Sequence, residues 1–221
     1  MRIDTFNSKQ EFITASVEVI EKSFQNGGRF FALAGGKTPI PVYAKLPQSK
    51  KIDFSALHIY VVDERYVPVT YADSNLGKLK SALFDKVELG EVCAFDTSLA
   101  IEDALAVYEQ KLQKIPEGSF DLAVLGIGTD GHVASLFPKS SGLYESKRFV
   151  THTITETLSV RDRLTLTFPA IMKSKQILVL VSGAHKKIVL EELFESPKTI
   201  AELPAKALLN HPDVVLYFLE S

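Results

Sequence analysis

Apolar and polar positions follow two rhythms along the chain. Leu122, Ala123, Val124 and Leu125 form an unbroken apolar run, the pattern of a strand buried on both faces of a parallel sheet. Apolar runs at residues 30–34, 57–62, 176–181 and 214–219 predict further strands, and residues 163–168, RLTLTF, alternate in strand fashion. Elsewhere the spacing is helical. Ser8 and Glu11 form a capping box, after which Ile13, Val17, Ile20 and Phe24 recur until Gly27 and Gly28 stop the helix. Residues 101–112 place Ile101, Leu105, Tyr108 and Leu112 on one side and break at Pro116 and Gly118. Asp73, Ser74 and Asn75 cap a shorter helix with Leu76, Leu79 and Leu83 on its apolar side and Lys78 and Lys80 on its solvated face. Thr38 is read as the N-cap and Pro39 as the first residue of a helix through Leu46, and a last helix runs through Phe194. Residues 139–150 read as loop. Strands alternating with helices predict one α/β domain over residues 1–221: a doubly wound, mostly parallel sheet flanked by helices, a modified Rossmann-like fold.

Four predicted strands end in polar or glycine-rich turns, and in such sheets ligands bind beyond the carboxyl ends of the strands. Gly35, Gly36, Lys37 and Thr38 bring free amides, a helix start and an ammonium to one turn, a recipe for holding phosphate; the plainer reading is a tight turn with a surface lysine. Asp63, Glu64 and Arg65 follow the strand at 57–62. Arg65 can grip a phosphate with two N–H groups and Asp63 can take a sugar hydroxyl or orient a neighbour, the plainer reading being a solvated rim. The stretch FDLAVLGIGTDGHVASLFP combines a buried strand, a turn containing Gly126, Gly128 and Gly131, and two groups able to move protons, Asp130 and His132. Residues 132–136 suit the first turn of a helix, which would set His132 near a positive dipole end. The fourth turn runs from Ser182 through Gly183, Ala184 and His185 to Lys186.

The glycines at 126, 128 and 131 also match the dinucleotide pattern G-x-G-x-x-G, but no strand ending in Asp or Glu follows at the required distance to hold a ribose. His58 sits in an apolar strand as a core histidine, and His152, His185 and His211 have no metal-ligand spacing.

Composition narrows the setting. A net charge of −2, with no basic stripe, gives no reason to expect nucleic acid, so an anionic ligand has to be met locally. Cys93, the single cysteine, lies among apolar neighbours and reads as a buried reduced thiol. With neither a signal-peptide core nor an apolar run near membrane length, the expectation is a soluble cytoplasmic protein.

The succession GGKTP, VVDER followed by VP and DSN, FDLAVLGIGTDGHVASLFP, RLTLTFPAI, LVSGAHK and LPAKALLNHPDVVLYFLE resembles the 6-phosphogluconolactonase family from about Phe31 to the C-terminus. The resemblance implies hydrolysis of 6-phospho-D-glucono-1,5-lactone to 6-phosphogluconate in the pentose phosphate pathway. His132 would be the general base and Asp130 its orienting partner. Phosphate would be held by Gly35, Gly36, Lys37, Thr38, Arg65 and Lys186, with Arg163 a second-tier candidate. It implies a monomer or weak homo-oligomer acting on a small phosphorylated sugar lactone, with no cofactor, metal, nucleic acid or membrane. The related amino-sugar phosphate deaminases continue from Asp-Gly-His toward an Asn-Glu pair, where this chain has Leu136 and Phe137. A non-catalytic sugar-phosphate sensor would need a DNA-binding module, and the one helix before Phe30 is too little for that. The chain departs from the family pattern in having Lys37 for a serine, Leu76 for an aromatic residue and Leu216 for a tryptophan.

Overall fold

The computed structural model describes residues 1–220. In chain order the elements are β1 (Arg2–Phe6), α1 (Lys9–Gln25), β2 (Phe30–Leu33), α2 (Ile40–Lys45), β3 (His58–Val61), β4 (Asp63–Arg65), α3 (Asn75–Ala82) and β5 (Glu91–Cys93). They continue with α4 (Ile101–Leu112), β6 (Leu122–Leu125), β7 (Val150–Ile154), β8 (Asp162–Leu166), α5 (Phe168–Ile171), β9 (Gln176–Ser182), α6 (Lys187–Glu195) and β10 (Val214–Leu219). Seven strands form a parallel sheet in the order β1-β10-β9-β6-β2-β3-β5.

The apolar runs explain the layering. Phe31, Leu33, Ile59, Val61, Leu122 and Val124 are buried on one face, with Phe12, Ile20 and Phe24 of α1, Val42 and Tyr43 of α2 and Leu79 of α3. Ala32, Tyr60, Ala123, Leu125 and Val179 alternate with them onto the other face, under Leu105 and Tyr108 of α4, Ile171 of α5 and Val189 and Leu193 of α6. Each fully buried aliphatic or aromatic side chain contributes about 1.5–3 kcal/mol, and a strand apolar on both faces stays in place only when covered on both.

The structure amends the sequence reading in several places. A second, antiparallel sheet of order β4-β8-β7 packs beside the first, so Asp63, Glu64 and Arg65 make up strand β4 and are not a solvated rim: Asp63 is 6% and Glu64 2% exposed. β1 and β5 escape the apolar pattern because they are the two edge strands and carry polar residues. The loop read at 139–150 holds a short 3₁₀ turn and the start of β7. Ser8 caps α1 as expected, accepting the Glu11 N–H, but the buried stripe is Phe12, Ser16, Ile20 and Phe24, which leaves Ile13 and Val17 at its margin. His58 is half-exposed, stacked on Phe30 with ring centroids 4.8 Å apart, because it is the first residue of β3, at the end of the strand. Lys78 is half-buried, its ammonium on the Asp73 carbonyl, and burial lowers its pKa. Among the described residues no helix is long and apolar enough to cross a membrane.

Candidate active site

From β2 the chain builds outward to β3 and β5, and from the neighbouring β6 it builds in the opposite direction to β9 and β10. The carboxyl ends of β2 and β6 therefore form the topological switch point, where a crevice opens above the sheet. The Gly35 and Gly126 turns leave the sheet there.

In the first turn, the backbone N–H groups of Gly35, Gly36, Lys37 and Thr38 donate to no acceptor among the described residues. Gly35 lets this backbone lie against the start of α3, since a Cβ there would come within 2.5 Å of the Asn75 Cβ. Thr38 does not cap α2: Pro39 occupies the N-cap position in helical conformation, and the Thr38 hydroxyl lies 3.2 Å from Ser182 Oγ. That contact ties the first turn to the turn after β9.

Arg65 approaches from β4. Its Nη1 donates to the Asp73 carbonyl at 2.6 Å, and its buried Nε has no protein partner. The neighbouring Glu64 carboxylate accepts from the amides of Arg65, Asn75 and Leu76 and from Ser74 Oγ, at 2.6–3.0 Å, and so locks β4 to the first turn of α3. Burial pushes the Glu64 carboxyl above its ordinary pKa, and these four donors oppose that shift. Asp63 accepts from Ser135 Oγ at 2.7 Å and from Asn75 Nδ2 at 3.2 Å, so it orients neighbours on both sides.

The 126–136 stretch is not the start of a helix. The Gly128 N–H donates to the His132 carbonyl at 2.8 Å, Val133 bridges both Ile127 and Leu136, and Ala134 has a φ of 55°. Gly131, at φ 82°, takes a conformation that other residues rarely adopt, in a space a Cβ would share with Leu203. The chain thus doubles back and delivers His132 Nδ1 to within 2.6 Å of Asp130 Oδ1, which also accepts the His132 N–H at 3.1 Å. Burial raises the Asp130 carboxyl, but the His132 hydrogen bond and charge, together with backbone amides, outweigh it and hold the pKa below the ordinary value. An ionised carboxylate only accepts, so in the neutral imidazole Nδ1 carries the proton and Nε2 the lone pair. The ring also packs at 4.7 Å against Phe137.

From the turn after β9, Lys186 Nζ donates to the Ile127 carbonyl at 2.7 Å. Burial lowers its pKa, and the charge of Asp130 works in the opposite direction. One cavity of about 460 Å³ is lined by Gly36, Lys37, Thr38, Asp63, Arg65, Gly128, His132 and Lys186. Asp130 stands behind His132 and Gly35 behind the first turn, and neither lines the cavity. Arg163 does not reach it either: the side chain is 4% exposed and its Nε is spent on the Val160 carbonyl at 2.9 Å. Asn75, Ser182, His185 and Leu158 also line the cavity; the sequence reading gave none of them a role in the site, although it set Ser182 and His185 in the fourth strand-end turn. The first three lie inside DSN and LVSGAHK, and their role as lining was not readable from spacing. A larger cavity of about 790 Å³, beside Phe84, Val92 and Phe95, has no histidine, arginine or glycine turn. Among the described residues no three His, Cys, Asp or Glu side chains are grouped to hold a metal ion.

Residues 6–216 match the family described as glucosamine-6-phosphate isomerases/6-phosphogluconolactonase. The chain is 36% identical to the 6-phosphogluconolactonase of Thermotoga maritima over 84% of each chain. It is 34% identical to that of Chlamydia pneumoniae, over 86% of this chain and 72% of the relative. The crystal structure of the Thermotoga maritima 6-phosphogluconolactonase superposes with a TM-score of 0.88 at 32% identity, covering 100% of this chain and 99% of that one. The Trypanosoma brucei 6-phosphogluconolactonase structure gives 0.86 at 28%, covering 99% and 95%.

Proposed function

The chain belongs to the glucosamine-6-phosphate isomerase/6-phosphogluconolactonase family, and from that premise we propose how it works as a hydrolase of 6-phospho-D-glucono-1,5-lactone. The observation that carries the mechanism is the Asp130–His132 pair, 2.6 Å apart, whose imidazole lines the same cavity as Gly36, Lys37 and Thr38, with their unpaired amides, Arg65 and Lys186. Ester hydrolysis needs a water made nucleophilic and a leaving alkoxide protonated. His132 Nε2 takes a proton as the water oxygen bonds to the lactone carbonyl carbon. When the bond from that carbon to the ring oxygen breaks, the imidazolium returns the proton to the ring oxygen, giving 6-phosphogluconate. The Asp130 carboxylate holds the tautomer and stabilises the imidazolium.

The phosphate is held by the amides of Gly36, Lys37 and Thr38 with the Thr38 hydroxyl, by Arg65 and by Lys186, and Gly35 shapes the turn that presents these amides. Asp63 lines the cavity beside the sugar and is held by Ser135 behind it, while orienting Asn75 at the cavity wall. The 221-residue chain acts as one unit, a cytoplasmic monomer or weak homo-oligomer without a nucleic-acid partner. A deaminase reading finds no support in the turn after His132, where Leu136 and Phe137 are 0% and 5% exposed in the core and offer no proton shuttle.

The test is the rate of 6-phosphogluconolactone disappearance, corrected for spontaneous opening, with wild type and folded His132→Ala. The variant is expected to lose about 100-fold or more in kcat, the scale of a general base. Wild-type activity in the variant overturns the assignment of His132; no acceleration by the wild type overturns the lactonase reading.

A further inference from the structure

His185 lines the cavity yet belongs to none of the groups assigned above. It follows β9 in the same turn as Lys186, and Thr38 and Ser182, 3.2 Å apart, hold that turn against the amide-rich turn after β2. Its ring lies over Gly183. A Cβ on Gly183 would stand 2.6 Å from His185 Cε1 and 2.8 Å from Nδ1, so the ring occupies the space a side chain at 183 would take. Gly183 has a φ of 100°, which suits glycine, and its N–H donates to the Leu219 carbonyl at 2.9 Å, so this seat is fixed to the end of β10. Among the described residues neither ring nitrogen of His185 has a hydrogen-bond or ion-pair partner. An imidazole always carries at least one N–H.

Resting on the lactonase reading, we propose that His185 is a specificity-determining residue that donates a ring N–H to the substrate's phosphate. Gly183 provides its seat, and the Thr38–Ser182 contact sets it beside the anion-binding amides. It lines the same cavity as Arg65 and takes no part in the proton transfers at His132. Its contribution is discrimination between phosphorylated and unphosphorylated lactones.

The experiment compares kcat/KM for 6-phosphogluconolactone with that for the same lactone lacking the phosphate, in wild type, His185→Ala and His185→Gln. The ratio of the two values is expected to fall about tenfold or more in His185→Ala, through KM for the phosphorylated substrate, the scale of one hydrogen bond to a charged group. His185→Gln, which keeps an N–H at similar reach, is expected to recover most of the ratio. An unchanged ratio in His185→Ala, or an equal loss on both lactones, overturns the proposal. Calorimetric titration of 6-phosphogluconate and gluconate into the same proteins separates the two readings. Without any turnover, a loss of 6-phosphogluconate affinity confined to His185→Ala still supports the phosphate contact, and an unchanged affinity overturns it.

Discussion

Gly128 lies directly beneath the imidazole of His132: a Cβ there would stand 2.1 Å from His132 Nδ1 and 2.5 Å from Asp130 Oδ1. The Asp130–His132 contact exists only because position 128 has no side chain. Its backbone does not need glycine for any other reason, since its φ is not in the left-handed region.

Gly128→Ala is therefore expected to fold normally while prising the pair apart. A displacement near 1 Å in a reacting group costs about 100-fold, so kcat should fall by about that factor with the melting temperature within a few degrees of wild type. Steady-state kinetics alongside thermal unfolding separate this from simple destabilisation.

Asp130→Asn tests the charge apart from the geometry. The amide oxygen can still accept from Nδ1, but the imidazolium formed when water is deprotonated loses its counter-charge. A fall in kcat of at least about tenfold is expected, with KM nearly unchanged because Asp130 does not line the cavity.

Asp121 links three parts of the sheet, accepting the N–H groups of Arg29 and Phe30 at 2.7 and 3.0 Å and the Lys175 ammonium at 2.8 Å. Burial raises its pKa, but Lys175 and the two amides outweigh this and hold it below the ordinary 3.8. A depressed carboxylate contributes stability that is present above the unfolded-state pKa and lost as pH falls through the folded one. Asp121→Asn should thus cost about 1–2 kcal/mol at pH 7, with the gap steady down to about pH 5 and closing below about pH 4. Urea unfolding at pH 7, 5 and 3 reads this directly.

Cys93 is fully buried on β5, and burial pushes its thiol pKa up to about 12. The thiolate is the reactive form, so native protein should resist a maleimide at pH 8 and label fully once unfolded in guanidinium, as mass spectrometry would show.

Glu64→Ala removes the acceptor shared by the amides of Arg65, Asn75 and Leu76 and by Ser74 Oγ. Buried donors left without partners cost about 1–3 kcal/mol each before water enters. A loss near 3 kcal/mol in urea unfolding is expected, with a raised KM because Arg65 and Asn75 lose their anchor.

The chain itself determined the central strands and most of the helices. Apolar runs such as LAVL need cover on both faces, and Ser8 capping α1 or Ser74 capping α3 are local interactions between residues three apart. The turns holding Gly35, Gly126 and Ser182 were legible as strand ends with unusual chemistry, and the resemblance of their motifs named the family. Long-range packing settled the rest. Asp63 and Glu64 look like a solvated rim in the sequence because their partners, Ser135, Ser74 and Asn75, are 10 to 72 residues away. The helix expected at His132 gave way to a reversal in which Val133 pairs with both Ile127 and Leu136, where burial of those apolar side chains outweighs local helix preference. Arg163, well placed by its number, is turned inward onto the Val160 carbonyl. His185 lines the cavity from a turn that the contact of Thr38 with Ser182, 144 positions apart, joins to the turn after β2. Short-range patterns decide which elements form; which side chains share a cavity depends on contacts between residues far apart in the chain, and only the tertiary fold supplies those.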